Sequence, residues 1–207
     1  MNLSRVTRTV YRLTMHGLAR GPHITRYTMY KKLSDLPLRI PNGGKILSVS
    51  QSSNLCSVIG INPTELVEAD YPEHNILCLN FASDYFDFVL SDQVLEHVEG
   101  NPEQAIDECF RVLRPGGIAV HTTCFINPIH GAPSDFWRFS PEGLRFLARK
   151  ASEIIACDGW GNFGAWRLIR DGLRYDGVPH ARWHPLHKAA VLNEPDWPIV
   201  TWVVARK

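Results

Sequence analysis

Between residues 86 and 123 the apolar positions change period three times. Phe88-Val89-Leu90 is a short unbroken apolar run that turns polar at Ser91-Asp92-Gln93, the pattern of a central strand covered on both faces. Val94 to Val98 is too short for a long helix and gives out at Gly100. Asn101 then opens a clear helix, with an Asn cap, Pro102 at the first helical position and Gln104 three residues after the cap. Ala105, Ile106, Cys109, Phe110, Val112 and Leu113 recur at helical spacing and predict its buried face. Pro115-Gly116-Gly117 predicts its stop, and Ile118-Ala119-Val120 the next buried strand. Strand, loop, helix, turn and strand make one right-handed crossover of a doubly wound α/β sheet.

The same reading extends in both directions. Residues 1–40 alternate Arg with Val, Tyr, Leu and Met and predict helix, broken in two by Gly21-Pro22. Pro41-Asn42-Gly43-Gly44 reads as a turn, 45–50 as the first strand, 55–59 as a short helix and 66–69 as the second strand. Residues 75–79 read as the third strand. Ser140-Pro141-Glu142 starts a helix, serine cap and proline first, that carries Leu144, Phe146 and Leu147 toward the core. Residues 152–158 give the sixth strand. Residues 159–198 are a mixed insertion with Trp160, Trp166, Tyr175 and Trp183, and 199–204 close the sheet.

The pair formed by VLEHV at 94–98 and RVLRPGG at 111–117, with a capped helix between them, resembles the second half of a class I S-adenosylmethionine-dependent methyltransferase of the type 11 family. The resemblance runs from about residue 43 to 148. It implies a Rossmann-like, mostly parallel seven-stranded sheet with an antiparallel last strand, and S-adenosylmethionine as cofactor. On this reading 41–207 form the methyltransferase domain and 1–40 a basic helical extension or lid. In that family the loop after the first strand carries glycines, whereas here it reads Ser50-Gln51-Ser52-Ser53-Asn54, with no glycine before Gly60. Serine and asparagine are small and polar, so Ser50, Gln51 and Ser52 are expected to cradle the cofactor in place of glycine.

An acidic residue about 20 positions after that loop is where such sheets bind ribose hydroxyls, which singles out Asp70, with Tyr71 beside it. By order along the chain, Asn75 and Ile76 are the adenine candidates. Ser91, Asp92 and Gln93 should lie beside the methionine end of the cofactor.

The segment IHGAPSDFWRFSPEGL at 129–144 is rich in polar and aromatic groups where a doubly wound sheet binds its ligand. It resembles a subgroup of bacterial methyltransferases associated with sugar and cell-surface glycan modification. Methyl transfer to a hydroxyl needs alignment, exclusion of water and a base. His130 is the first candidate base and His97 the second, because histidine titrates near neutrality. Asp135 and Arg138 could orient His130 or grip an acidic substrate, and Trp137 could cover the sulfonium or stack on a sugar. Each also has a plainer reading: His130 as a histidine bonding loop backbone, His97 as packing, Trp137 as core filler. His180, His184 and His187 match no metal-ligand pattern, and no metal is expected.

Composition narrows this only a little. With 44% hydrophobic residues, 21% charged and a net charge of +1, nothing draws the whole chain to nucleic acid or anionic lipid. The charge is uneven, however: residues 1–40 hold eight Lys or Arg against Asp35 alone. That patch is either a solvated helix face, a lid, or an attractor of acidic substrates. The five dispersed cysteines fit reduced thiols in a cytoplasmic protein, and no apolar run spans a bilayer. The expected function is methyl transfer from S-adenosylmethionine to a small-molecule or glycan-type hydroxyl substrate. The alternative is a catalytically inactive binding or regulatory protein on the same fold. A nucleic-acid partner ranks last, for want of an NPPY-type motif or RNA module.

Overall fold

The computed structural model describes residues 3–38, 44–131 and 134–207. The turn expected at 41–43 and the boundary at residue 40 lie outside them, as do Ala132 and Pro133 of the 129–144 segment. In chain order the elements are α1 (Leu3–Thr14), β1 (Arg20–His23), α2 (Ile24–Ser34), β2 (Lys45–Val49), α3 (Asn54–Val58), β3 (Glu65–Ala69) and β4 (Phe86–Asp92). A single 3-10 turn (Leu95–His97) leads to α4 (Pro102–Val112), β5 (Leu113–Cys124), α5 (Pro141–Leu147) and β6 (Glu153–Trp160). The last third adds α6 (Phe163–Leu168), which runs into a π-helical turn (Ile169–Leu173), then β7 (Gly177–Pro179), α7 (Pro185–Val191) and β8 (Val200–Arg206).

The main sheet has the order β3-β2-β4-β5-β8-β6. β3, β2, β4 and β5 are parallel, and β8 runs antiparallel to both of its neighbours. The uninterrupted apolar run of β4 is buried on both faces, as a central parallel strand requires. On one face Ile46, Phe88, Leu90, Val204 and the buried Trp160 and Trp202 pack against α2, α3, α6 and α7. On the other, Leu47, Val89, Ala119 and Val203 pack against α4 and α5. Among the described residues no helix is long and apolar enough to cross a membrane.

The sheet has six strands, not seven, because residues 75–79 do not form the expected third one. Asn75 ends the extended path: its Oδ1 accepts from the Leu77 amide at 2.9 Å and its carbonyl from the Cys78 amide at 2.9 Å, closing a turn. The break at Gly21-Pro22 is a two-stranded ribbon, β1 against β7. Asn101 caps α4 by accepting from the Glu103 amide at 2.9 Å, but Gln104 does not complete a capping box; it donates to the Leu77 carbonyl at 2.7 Å. Pro115-Gly116-Gly117 does not separate α4 from a later strand: β5 begins at Leu113 and absorbs the triplet as an irregularity opposite Phe86 and Phe88. Phe146 faces solvent rather than the core, with the Arg149 guanidinium 4.1 Å above its ring.

Candidate active site

The turn leaving β2 is the first unusual piece of backbone. Ser50 and Gln51 both take left-handed conformations (φ 53° and 58°), the region that glycine enters without strain. The chain thus keeps a glycine-type turn without glycine. The Ser50 amide donates to the Ala69 carbonyl, tying the turn to the end of β3. Ser52 locks it from below: its hydroxyl donates to the Val49 carbonyl at 2.5 Å and accepts from the Asp92 amide at 2.7 Å. The Gln51 side chain is exposed and Asn54 donates to the Tyr30 hydroxyl, so neither blocks the space above the sheet.

That space is a cavity of about 440 Å³ at the carboxyl ends of β2, β3 and β4. Of the sequence candidates, Ser50, Tyr71, Asn75, Ile76, Gln93 and His97 line it. Asp70, next to Tyr71, has a buried Oδ1 without a hydrogen-bond partner among the described residues. Gln51, Ser52, Ser91 and Asp92 do not line it. Ser91 is buried and bonded to Nδ1 of His121 at 2.7 Å, a histidine whose pKa burial lowers to about 4. Asp92 faces the opposite way, toward α2. It accepts from Thr122 at 2.5 Å, from Arg26 at 3.3 Å and from the Tyr30 hydroxyl. Burial, then the Asp92 charge, pushes the Tyr30 phenol up to about 12. Phe136, Val94 and His74, which sequence reasoning did not single out, complete the cavity wall.

Beside this cavity the 3-10 turn buries Glu96 completely. Its Oε2 accepts from Thr123 at 2.8 Å, and its Oε1 has no hydrogen-bond partner among the described residues. Burial raises its pKa, an effect the Thr123 hydrogen bond and the charges of His97 and His130 offset only in part. His130 Nε2 stands 4.0 Å from that free Oε1. The other side of the His130 ring faces Asp135, whose Oδ2 lies 3.2 Å from Nδ1 and accepts from the His130 amide at 2.7 Å. Asp135 is nearly buried and gripped by both terminal nitrogens of Arg138, which hold its carboxyl well below the usual carboxylate range. Asp135 and Arg138 therefore bind chiefly each other and frame the loop. His97 bonds the Ser134 carbonyl through Nδ1 and meets His130 edge-on, ring centroids 5.1 Å apart. Trp137 donates to the Val98 carbonyl at 2.9 Å and leaves part of its ring exposed.

Beyond His130 the contacts come from distant segments. Arg174, after the π-helical turn, donates to Asn127 Oδ1 at 2.8 Å, and Asn127 Nδ2 lies 3.1 Å from His130 Nδ1. His23, at the start of α2, has its pKa lowered to about 4, by burial first and then by Arg26 and Arg174. None of Glu96, Cys124, Asn127, Arg26 or Arg174 was singled out as a site residue from sequence. Only Glu96 carried a signal, an acid within the otherwise apolar VLEHV. Glu96, Cys124 and His130 each offer a ligand atom within 4.8 Å of the others, a donor set of the kinds zinc accepts. The three histidines of the insertion do not converge in this way: Leu186, Pro179 and Tyr27 are bonded by His184, His187 and His180 in turn.

Residues 37–121 match the family model of a methyltransferase domain. No curated protein matches the chain. Among solved structures, a methyltransferase from Thermotoga maritima is 13% identical, with 99% of this chain and 97% of that one covered and a TM-score of 0.52. One from Archaeoglobus fulgidus is 12% identical, covering 99% and 94%, with a TM-score of 0.51. The [4+2]-cyclase SpnF is 14% identical, covering 99% and 93%, also at 0.51. At such identities the likeness is one of fold, and the cyclase shows that this fold hosts more than one chemistry. Sheet order, antiparallel β8 and matched segment agree: residues 37–121 are similar to the methyltransferase type 11 domain, and the chain has the fold of S-adenosylmethionine-dependent methyltransferases.

Proposed function

We propose that this protein methylates a hydroxyl of a small-molecule or glycan-type acceptor. The observation that supports this most is Asp70, a carboxylate with a buried oxygen that has no partner among the described residues, next to Tyr71 in the cavity wall. Such an orphan is costly in a folded protein unless a ligand satisfies it. Two adjacent ribose hydroxyls are the donors it lacks. The other residues fit the cofactor as well. The left-handed turn at Ser50 and Gln51 turns backbone rather than side chain toward the methionine portion. Asn75 and Ile76 line the cavity where adenine would sit, and Gln93 and His97 line it as well. When bound, S-adenosylmethionine supplies an electrophilic methyl group.

The chain's own task is to hold the acceptor and take its proton. Glu96 and His130 form the acceptor couple. The buried carboxylate binds a proton more readily than an exposed one, and its free oxygen faces the imidazole. His97 lies between this couple and the cavity, lining the one and touching the other. Phe136 and the exposed part of Trp137 offer aromatic faces suited to a sugar ring.

Calorimetry with S-adenosylmethionine and S-adenosylhomocysteine tests the reading. Both should bind the wild type, and Asp70→Ala should weaken them by about tenfold or more. No heat with either compound at high protein concentration would remove the cofactor and, with it, the enzyme.

A further inference from the structure

Two polar atoms near His130 are orphaned, and they are of opposite kind. Among the described residues, Glu96 Oε1 is a buried acceptor without a donor, and Arg174 Nε is a buried donor without an acceptor. The chain Glu96, His130, Asn127, Arg174 joins them through successive contacts of 4.0, 3.1 and 2.8 Å. The other cations here are matched: Arg26 has Asp92 and Arg138 has Asp135. Among the described residues Arg174 has no carboxylate partner; it donates to the neutral amide of Asn127. Arg26 and Arg174 both act on His23, so both guanidinium groups lie near that ring, and of the two it is Arg26 that has a carboxylate beside it.

Resting on the methyl-transfer reading above, we propose that the acceptor carries an acidic group, a carboxylate or phosphate, which docks on Arg174 while its hydroxyl lies against Glu96 and His130. A guanidinium presents a planar fork of donors that matches either anion in two hydrogen bonds, and a half-buried one without a counter-ion binds it more strongly than a surface lysine would. The geometry sorts the acceptor's two ends: a donor toward the unpartnered carboxylate, an acceptor toward the unpartnered guanidinium. Uncharged sugars satisfy only the first.

The test uses the full chain with inorganic phosphate and malonate as separate probes, followed by calorimetry and by the imidazole NMR signals of His23. S-adenosylhomocysteine is titrated in parallel. At least one anion should bind and shift His23. Arg174→Gln should weaken it by about tenfold or more, while S-adenosylhomocysteine affinity stays within about twofold. Asn127→Asp, which supplies Arg174 with an internal carboxylate, should weaken the anion too and serves if Arg174→Gln does not fold. Tighter phosphate points to a phosphorylated acceptor, tighter malonate to a carboxylic one. If neither anion binds, or both bind wild type and variants alike, the anion site is overturned, whatever the homocysteine does. Failure of S-adenosylhomocysteine alone sinks the methyl-transfer reading and leaves the anion site standing.

Discussion

The two sides of the cleft are built in different ways. The proposed cofactor side is lined from three consecutive strand ends, by Ser50, by Tyr71 and His74 to Leu77, and by Gln93, Val94, His97 and Val98. The acceptor side is assembled from remote pieces: Arg26 reaches Asp92 across 66 residues and Arg174 reaches Asn127 across 47. The first is fixed by local turns and sheet register, the second by how α2 and the insertion pack over the sheet. One should therefore tolerate damage to the other.

The sharpest break of that separation is His130→Ala. Turnover on a hydroxyl acceptor found by screening should fall by about 10²–10⁴, the range for loss of a general base, with S-adenosylhomocysteine affinity unchanged within about twofold. A matching loss of both would show that the sides are one unit. Next comes Asp92→Asn, which leaves the mostly buried Arg26 without its charge partner. Urea unfolding should report a loss of about 3 kcal/mol; a midpoint like that of the wild type would mean that this pair does not anchor α2.

The floor shared by both sides carries its own signature. His121, buried beneath Ser91, has a folded pKa of about 4 against an ordinary 6.5. The unfolded chain therefore takes up the proton first. Its contribution is fully present above about pH 6.5, is lost as pH falls toward 4, and stays level below that. Across that window the loss is about 3 kcal/mol. His23 on the acceptor side adds to it with the same sign. His121→Gln should flatten the acid limb of a stability–pH curve, and an unchanged limb would assign it to other groups. The smallest effect belongs to Gln51→Gly. Relief of a left-handed φ, set against glycine's greater chain entropy, should stabilise by about 0.5–1 kcal/mol, read as a slightly higher melting temperature.

The same contrast explains what could be read in the sequence. Strand-helix-strand periodicity and the Asn101 and Ser140 caps are local signals, so the crossover and both helix starts were legible. Asp70 stood out by its distance along the chain, and its Oδ1 is buried without a partner among the described residues. Residues 75–79 misled because Ile, Leu and Cys suggest a strand, while a side-chain bond from Asn75 turns the backbone instead. Ser52 and Asp92 are polar residues at the expected strand ends, but Ser52 clamps the Asp92 amide and Asp92 holds α2, and no pattern announces such a commitment. Arg174 was beyond reach: nothing in the run around Tyr175 says that its guanidinium meets Asn127 rather than one of the aspartates nearby.

Trp160 and Val200 are partners across β6 and β8, because β8 runs against its neighbours. Everything from 161 to 199 is thus an excursion that leaves and re-enters the sheet at one point on the rim. Its exposed turns can lengthen for little more than the entropy of a longer loop, with neither strand displaced, while Ala165, Ile169, Leu173, Leu186 and Ala190 stay tied into the core. The reversed strand thus lets that rim be remodelled at its turns while the strand ends that line the cavity keep their places.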